Sequence, residues 1–190
     1  YDEATAILAG DALLTRAFEV LSDPDTHSSP EVRCRLISEL AKASGMNGMV
    51  GGQMIDLMAE TRDLSLAEIT RLQRLKTGAL IVYACKAGSI LGKAEDVKYQ
   101  ALKKYGHDLG LSFQIADDLL DVEASQEETG KKVGKDADRG KATFVSLLGV
   151  ERAREQALML SDQACRHLNI FDHGTELLRA MAQYVVKRRN

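Results

Sequence analysis

Residues 110–122 read GLSFQIADDLLDV, an apolar helical pattern that Asp117, Asp118 and Asp121 interrupt. At about 100° per residue, Asp117 and Asp121 lie one turn apart on one face of a helix, and Gln114 points to the same neighbourhood. Like charges one turn apart repel each other, so the pattern indicates a site where another group supplies positive charge. Carboxylate oxygens are the ligands that Mg²⁺ prefers, and the stretch therefore predicts a magnesium site.

The alternative interpretation of the same residues is a helix end that frays into an acidic surface loop. The periodicity predicts a helix over 94–122, which would place the aspartates at its end, where negative charge opposes the helix dipole. The apolar neighbours Phe113, Ile115, Leu119 and Leu120 would hold this turn against a core, and they favour the metal site over the loop.

The composition limits the classes of protein to consider. The chain has 190 residues, enough for one domain over 1–190 with a substantial core. A formal net charge of -3, without a basic stripe that carries aromatic residues, disfavours a nucleic-acid partner. No apolar run is long enough to span a bilayer, and no signal-peptide pattern is present. The three cysteines are isolated, which disfavours a disulfide framework or a zinc site and favours the cytoplasm.

Helical periodicity runs through nearly the whole chain, without strand alternation. Ser29 with Pro30, and Ser65 with Glu68, are signals for helix starts. Four glycines lie between residues 45 and 52, and glycine disfavours a helix interior. We therefore expect a packing reason for them, such as the close approach of another helix. The predicted helices cover 2–22, 30–59, 65–75, 79–91, 94–122, 143–149, 151–168 and 175–188, with a kink at 76–78 and a polar loop over 123–140. This pattern predicts an all-α bundle of long antiparallel helices with a site in its core.

Three further polar groups interrupt the apolar faces. Gln53 and Asp56 are three residues apart and can face one cavity, although an exposed polar edge is the preferred interpretation of this pair alone. Lys76 and Thr77 at the predicted kink could contact phosphate oxygens, whereas a solvated lysine at a helix joint is the simpler interpretation. The loop over 129–141 combines glycines and lysines in the manner of a phosphate lid, a composition also common in ordinary charged loops.

Taken in order, these segments resemble the trans-prenyltransferases, and among them the bacterial farnesyl diphosphate synthase type. The resemblance covers essentially the whole chain, and its joint signal is stronger than any single motif. The matching segments are AILAGDAL (6–13), GQMID (52–56), KTGAL (76–80), QIADDLLD (114–121), GK (130–131) with Asp136, and KATF (141–144).

The resemblance implies an isoprenoid-synthase fold, in which long helices surround a central cavity. It implies an enzyme that joins isopentenyl diphosphate to an allylic diphosphate, with three Mg²⁺ ions in the complete active site. The residues that it implicates are Asp117, Asp118, Asp121 and Asp136 for metal binding, Lys76, Lys131 and Lys141 for the allylic diphosphate, Thr77 and Gln114 beside the reacting allyl group, and Gln53 and Asp56 at the border of the site.

The chain departs from the family pattern at its start. The family's first aspartate-rich motif, its paired arginines and its determinants of product length lie upstream of Tyr1, so we expect the C-terminal two-thirds of a trans-prenyltransferase, without its N-terminal helices and incomplete as an enzyme. Farnesyl diphosphate is the expected product, and a geranylgeranyl diphosphate synthase or a non-catalytic partner subunit is the alternative. The resemblance also implies a homodimer. Arg188 and its basic neighbours could close over a diphosphate or simply neutralise a helix end.

Overall fold

The fold, seen in a computed structural model, is a bundle of helices. The structure describes residues 1–129 and 143–188, and the side chains of 124–129 are outside this description. Within these residues there is no strand, as the sequence predicts. The helices are α1 (Glu3–Ser22), α2 (Pro30–Ser44), α3 (Met49–Met58), α4 (Leu66–Gln73), α5 (Ala79–Leu91), α6 (Asp96–Thr129), α7 (Phe144–Leu148), α8 (Val150–His167) and α9 (Glu176–Lys187), with a π-turn (Arg74–Gly78) between α4 and α5 and a short 3₁₀ turn (Leu168–Ile170) after α8.

The predicted starts of α2 and α4 are confirmed by their capping hydrogen bonds. The Ser29 side chain accepts from the backbone N–H of Val32 at 3.4 Å. At α4 the Glu68 N–H donates to Ser65 Oγ at 3.4 Å, and the Ser65 N–H donates to Glu68 Oε2 at 2.9 Å. These bonds satisfy backbone donors that a helix start otherwise leaves unpaired.

The prediction of one helix over 30–59 is wrong, because the chain turns between α2 and α3. Gly45 ends α2 with an extended backbone, and Gly48 precedes α3. A Cβ atom on Gly48 would lie 2.1 Å from the carbonyl oxygen of Ala43, so this tight turn excludes a side chain. Glycine disfavours a helix interior by roughly 1 kcal/mol, and here it marks the end of a helix.

The predicted end of the long helix at residue 122 is also wrong, since α6 continues through Thr129. Residues 123–129, which the sequence assigned to a polar loop, are helical. Asp117 and Asp121 therefore lie well inside α6, and the opposition between their charge and the helix dipole, which acts over the last turn, is weaker than expected.

The predicted kink at 76–78 is a π-turn, and two glycines allow its neighbours to approach it closely. A Cβ on Gly52 of α3 would lie 2.2 Å from the Lys76 backbone nitrogen, so the backbones of α3 and the π-turn almost touch. On the other side, a Cβ on Gly110 of α6 would lie 3.0 Å from the Cα of Gly78. The π-turn is thus held between α3 and α6, and the packing reason expected for the glycines is confirmed at Gly52.

Helix α6 is the centre of the bundle and packs against α5, α7, α8 and α9. Polar side chains buried beside it are paired: Ser112 donates to the Ala157 carbonyl at 2.9 Å, and Tyr105 donates to the Leu178 carbonyl at 2.9 Å. Two apolar clusters form the core, one of them Ala59, Leu64, Ile69, Leu72, Leu111, Ile115, Leu119, Phe144, Val145, Ala153, Ala157 and Leu160, and the other Tyr105, Leu109, Ala116, Ala164, Leu168, Ala182 and Val185.

Helix α1 packs along α2 and buries none of its own side chains. Its apolar residues Ile7, Leu8, Leu13, Leu14 and Val20 are exposed. Among the helices described, none is both long and apolar enough to cross a bilayer.

Candidate active site

A hydrogen bond joins two of the segments singled out in the sequence. The Thr77 hydroxyl donates to Gln114 Oε1 at 3.0 Å, although the two residues are 37 positions apart. Thr77 lies in the π-turn, and Gln114 lies one turn before Asp117 on α6. This bond places the basic π-turn next to the acidic turn of α6.

Lys76 is held by a carboxylate from α3. Its Nζ lies 2.8 Å from Asp56 Oδ2, with 36% of the lysine side chain and 13% of the aspartate side chain exposed. A lysine that is only partly covered keeps donors available for an anion. Gln53 is half-buried and lies three residues before Asp56 on α3.

Asp117 forms an ion pair that the sequence did not predict. Its Oδ1 accepts from the Arg188 guanidinium at 2.7 Å, and the two residues are 71 positions apart. The guanidinium carbon also lies 4.5 Å from the centre of the Phe113 ring, one helical turn before Asp117. Cation–π contacts of this kind contribute about 0.5–1 kcal/mol at exposed sites and more when desolvated.

Asp118 points into the protein and caps the start of α7. Its Oδ2 accepts from the Phe144 backbone N–H at 3.1 Å. Burial raises the pKa of Asp118 to about 6, the Phe144 hydrogen bond lowers it, and the charges of Asp117 and Asp121 raise it further. Desolvation therefore dominates, as expected for a carboxylate inside a core-facing helix turn.

Asp121 is exposed, so the three aspartates have three different environments. In the part of the chain that the structure describes, no three acidic, histidine or cysteine side chains lie close enough together to hold one ion. Lys131, Asp136 and Lys141 lie outside the described residues, and their roles stay predictions.

The donors nevertheless fit a hard divalent cation. Half of the Asp117 side chain is exposed, and Asp121 is exposed one turn further along the same helix face. Magnesium in proteins is commonly bound by one or two carboxylates together with substrate phosphates rather than by a cage of protein ligands. Asp117 and Asp121 suit that role, whereas Asp118 would first have to give up its hydrogen bond to Phe144.

Sequence reasoning missed the partners of the aspartates. Arg188 was considered only as a contact for diphosphate or for a helix end, and nothing in the spacing connects it with Asp117. Phe144 belongs to the KATF segment that carries the resemblance, yet its backbone contact with Asp118 is a tertiary feature. Of the groups around this ion pair, only Phe113 could be located from the sequence, because its spacing puts it on the same helix face as Asp117.

Fold and site together define an all-α bundle in which acidic side chains of one long helix adjoin a lysine-bearing π-turn. A family model described as polyprenyl synthetase matches residues 1–174, and the chain belongs to this family. The resemblance seen in the sequence is thereby confirmed.

Curated relatives and solved structures agree with this assignment. The chain is 41% identical to the farnesyl diphosphate synthase of Geobacillus stearothermophilus, 44% identical to that of Escherichia coli and 37% identical to the geranylgeranyl diphosphate synthase of Cyanophora paradoxa. Each match covers at least 99% of this chain but 64% of the relative, so the chain spans just under two thirds of their length.

The apo structure of an FPP/GFPP synthase from Zymomonas mobilis matches with a TM-score of 0.85 at 49% identity, over 97% of this chain and 62% of that one. A geranyltransferase from Helicobacter pylori, solved with magnesium and isoprenyl diphosphate, matches with a TM-score of 0.79 at 34% identity, over 98% and 61%. The predicted isoprenoid-synthase fold is therefore confirmed.

Proposed function

We propose that the protein condenses isopentenyl diphosphate head-to-tail with dimethylallyl diphosphate and then with the resulting geranyl diphosphate to give farnesyl diphosphate, with Mg²⁺ as its cofactor. The observation that carries this proposal is the hydrogen bond of 3.0 Å from Thr77 to Gln114, because it brings the lysine of the π-turn and the aspartates of α6 to one place. The farnesyl diphosphate synthases among the relatives support the choice of reaction.

The residues of the site suit the charges that this reaction develops. Cleavage of the allylic C–O bond leaves negative charge on diphosphate and positive charge on carbon. Lys76 stabilises the departing diphosphate, and the oxygens of Thr77 and Gln114 present partial negative charge to the allylic cation. Bound Mg²⁺, held by Asp117 and Asp121, would supply positive charge to the diphosphate oxygens.

A product assay tests the reaction and its chain length. The protein made from its full coding sequence should consume isopentenyl diphosphate with geranyl diphosphate in the presence of Mg²⁺ and release a C15 product. A C20 product would identify a geranylgeranyl diphosphate synthase, an alternative favoured by the relative from Cyanophora paradoxa. No product with any allylic substrate would contradict the proposal and favour a non-catalytic partner subunit.

Two substitutions with matched controls test the assigned residues. Lys76→Ala should raise KM for the allylic diphosphate about tenfold or more, since it removes a charge from the phosphate site, while Lys104→Ala on the exposed side of α6 should leave KM unchanged. Asp117→Ala should lower turnover by about 100-fold, because it removes a metal ligand. Asp162→Ala removes the same charge from an exposed position of α8 and should have little effect.

We also propose that the protein is a homodimer in the cytoplasm. The exposed apolar side chains of α1 support a dimer contact, since they are unburied on a helix that packs mainly along α2 in the described part of the bundle. Leu13→Glu should then shift the mass measured by light scattering from dimer to monomer, and an unchanged dimer would place the contact elsewhere. The isolated cysteines support a reducing compartment.

A further inference from the structure

Arg188 connects the end of α9 with the acidic turn of α6. Only 17% of its side chain is exposed, and its guanidinium lies between Asp117 Oδ1 and the Phe113 ring. In the proposed function Asp117 and Asp121 hold the divalent cation, and half of the Asp117 side chain is open to solvent. The carboxylate proposed to bind the metal ion is thus already paired with the guanidinium of Arg188.

The Arg188 contact differs from a purely structural ion pair in two ways. Its buried Nε–H has no hydrogen-bond partner among the described residues, although most buried side-chain polar atoms in proteins have one. A cavity of about 30 Å³ borders the side chain between α6, α8 and α9, so the packing around it is incomplete. Both features indicate a position that the side chain can leave at modest cost.

We propose that Arg188 is a built-in counter-ion of Asp117, which leaves this carboxylate when a divalent cation binds there. The inference rests on the proposed metal site and adds a residue that sets its affinity. A guanidinium and a divalent cation compete for the same carboxylate oxygen, and their positive charges repel each other. Metal binding therefore includes the breaking of the Arg188 contact, and the end of α9 becomes less constrained when the metal is bound.

The expected change in metal affinity follows from the strength of the Arg188–Asp117 pair, which metal binding must break. A hydrogen bond to a charged group changes an equilibrium by about tenfold to a hundredfold, and the half-exposed Asp117 places this pair at the low end of that range. Removal of the Arg188 charge should therefore strengthen metal binding at Asp117 by about tenfold.

The experiment measures metal binding first to the protein alone and then with inorganic pyrophosphate, which supplies the phosphate oxygens of the proposed site. Mn²⁺ is titrated into the protein, free Mn²⁺ is followed by electron paramagnetic resonance, and Mg²⁺ is then added as a competitor. Arg188→Gln removes the charge, Arg188→Lys retains it, and Lys187→Gln removes an equal charge from the adjacent exposed position. Circular dichroism confirms that each variant is folded, and Asp117→Asn shows which part of the binding depends on this carboxylate.

The expected result is tighter Asp117-dependent binding in Arg188→Gln, with Arg188→Lys and Lys187→Gln close to the wild type. Equal or weaker binding in Arg188→Gln would overturn the inference while leaving the metal site intact. If Asp117→Asn changes metal binding in no background, with or without inorganic pyrophosphate, the metal site of the proposed function fails, and the role of Arg188 fails with it.

Amide hydrogen exchange at the end of α9 distinguishes an Arg188 side chain that leaves Asp117 on metal binding from one that stays in place. The Arg188 backbone N–H donates to the Tyr184 carbonyl at 2.9 Å and closes the last turn of α9. Saturating Mn²⁺ should speed amide exchange in this turn of the wild-type protein and have no effect in Arg188→Gln, where the tie is already absent. Metal-independent exchange in the wild type would show that Arg188 stays in place, contrary to the proposal.

Discussion

Replacement of Gly52 by alanine puts a methyl group at the point where α3 crosses the π-turn. The new Cβ would lie 2.2 Å from the backbone nitrogen of Lys76, 2.6 Å from its Cα and 2.9 Å from the carbonyl carbon of Leu75. Ordinary carbon contacts are about 3.5–4.0 Å, and all three atoms belong to the backbone. No rotamer change can relieve the overlap, so α3 and the π-turn must move apart.

The magnitude of the change is the difference between two opposing effects. Alanine favours a helix interior over glycine by about 1 kcal/mol. Overpacking a close contact costs about 1–3 kcal/mol and more where backbone has to shift. We therefore expect Gly52→Ala to lower the free energy of unfolding by about 2 kcal/mol, which for a chain of this size corresponds to a fall in Tm of about 4–8 °C.

Gly88→Ala is the matched control for this prediction. Gly88 lies inside α5, is exposed, and a Cβ there would meet no atom within 4 Å. This substitution should raise the free energy of unfolding by about 0.5–1 kcal/mol through helix propensity alone. Urea unfolding followed by circular dichroism measures both variants, and opposite signs are the expected result. If Gly52→Ala is as stable as Gly88→Ala, the close approach of α3 to the π-turn is refuted.

Three further predictions concern single side chains. Because burial raises the pKa of Asp118 to about 6, its favourable contribution to stability is complete below the unfolded pKa and is lost as pH rises through about 6. Asp118→Asn should therefore raise the free energy of unfolding by about 1–2 kcal/mol in chemical denaturation at pH 8, an advantage that disappears towards pH 4. Glu39→Gln leaves the largely buried ammonium group of Lys86 without its carboxylate and should destabilise by about 2 kcal/mol in urea, whereas Glu155→Gln at an exposed position inside α8 should be close to neutral. Ser112→Ala removes a buried hydroxyl that donates to a backbone carbonyl of α8 and should lower Tm by about 2–4 °C in a thermal melt.

Features that depend on neighbours in the chain could be predicted from the sequence. Ser29 with Pro30, and Ser65 with Glu68, fix the starts of α2 and α4 through bonds within four residues, so no tertiary knowledge is needed to find them. An interruption of the helix at 76–78 was likewise predicted, as a kink, from a polar triplet between two apolar halves, and the structure has a π-turn there.

The break between α2 and α3 could not be predicted, because glycine occurs both inside closely packed helices and at the turns that end them. Gly52 stays inside a helix, where the Lys76 backbone occupies the space of its missing side chain. Gly45 and Gly48 instead mark the turn between two helices. The sequence shows the same residue type in both cases, and only the presence or absence of a packed neighbour distinguishes them.

The candidate site shows the same division between local and tertiary information. Regular spacing and the family resemblance singled out Lys76, Thr77, Gln114 and Asp117. The structure joins Thr77, the neighbour of Lys76, to Gln114, which lies one turn before Asp117. Their individual partners come from other parts of the chain, as the 71 residues between Asp117 and Arg188 illustrate. Such pairs depend on how helices pack, which periodicity does not encode.

The mutual repulsion of Asp117, Asp118 and Asp121 is reduced in three separate ways. Arg188 neutralises Asp117, the Phe144 N–H partly compensates Asp118, whose charged form burial still disfavours, and solvent screens Asp121. Since each carboxylate has its own compensation, the fold does not require a metal ion for stability, unlike a structural metal site whose ligands repel one another until the ion binds. It follows that chelation should leave the Tm of this protein nearly unchanged while it abolishes any metal-dependent turnover. A large fall in Tm on chelation would show that the aspartates are compensated by the metal rather than by the chain.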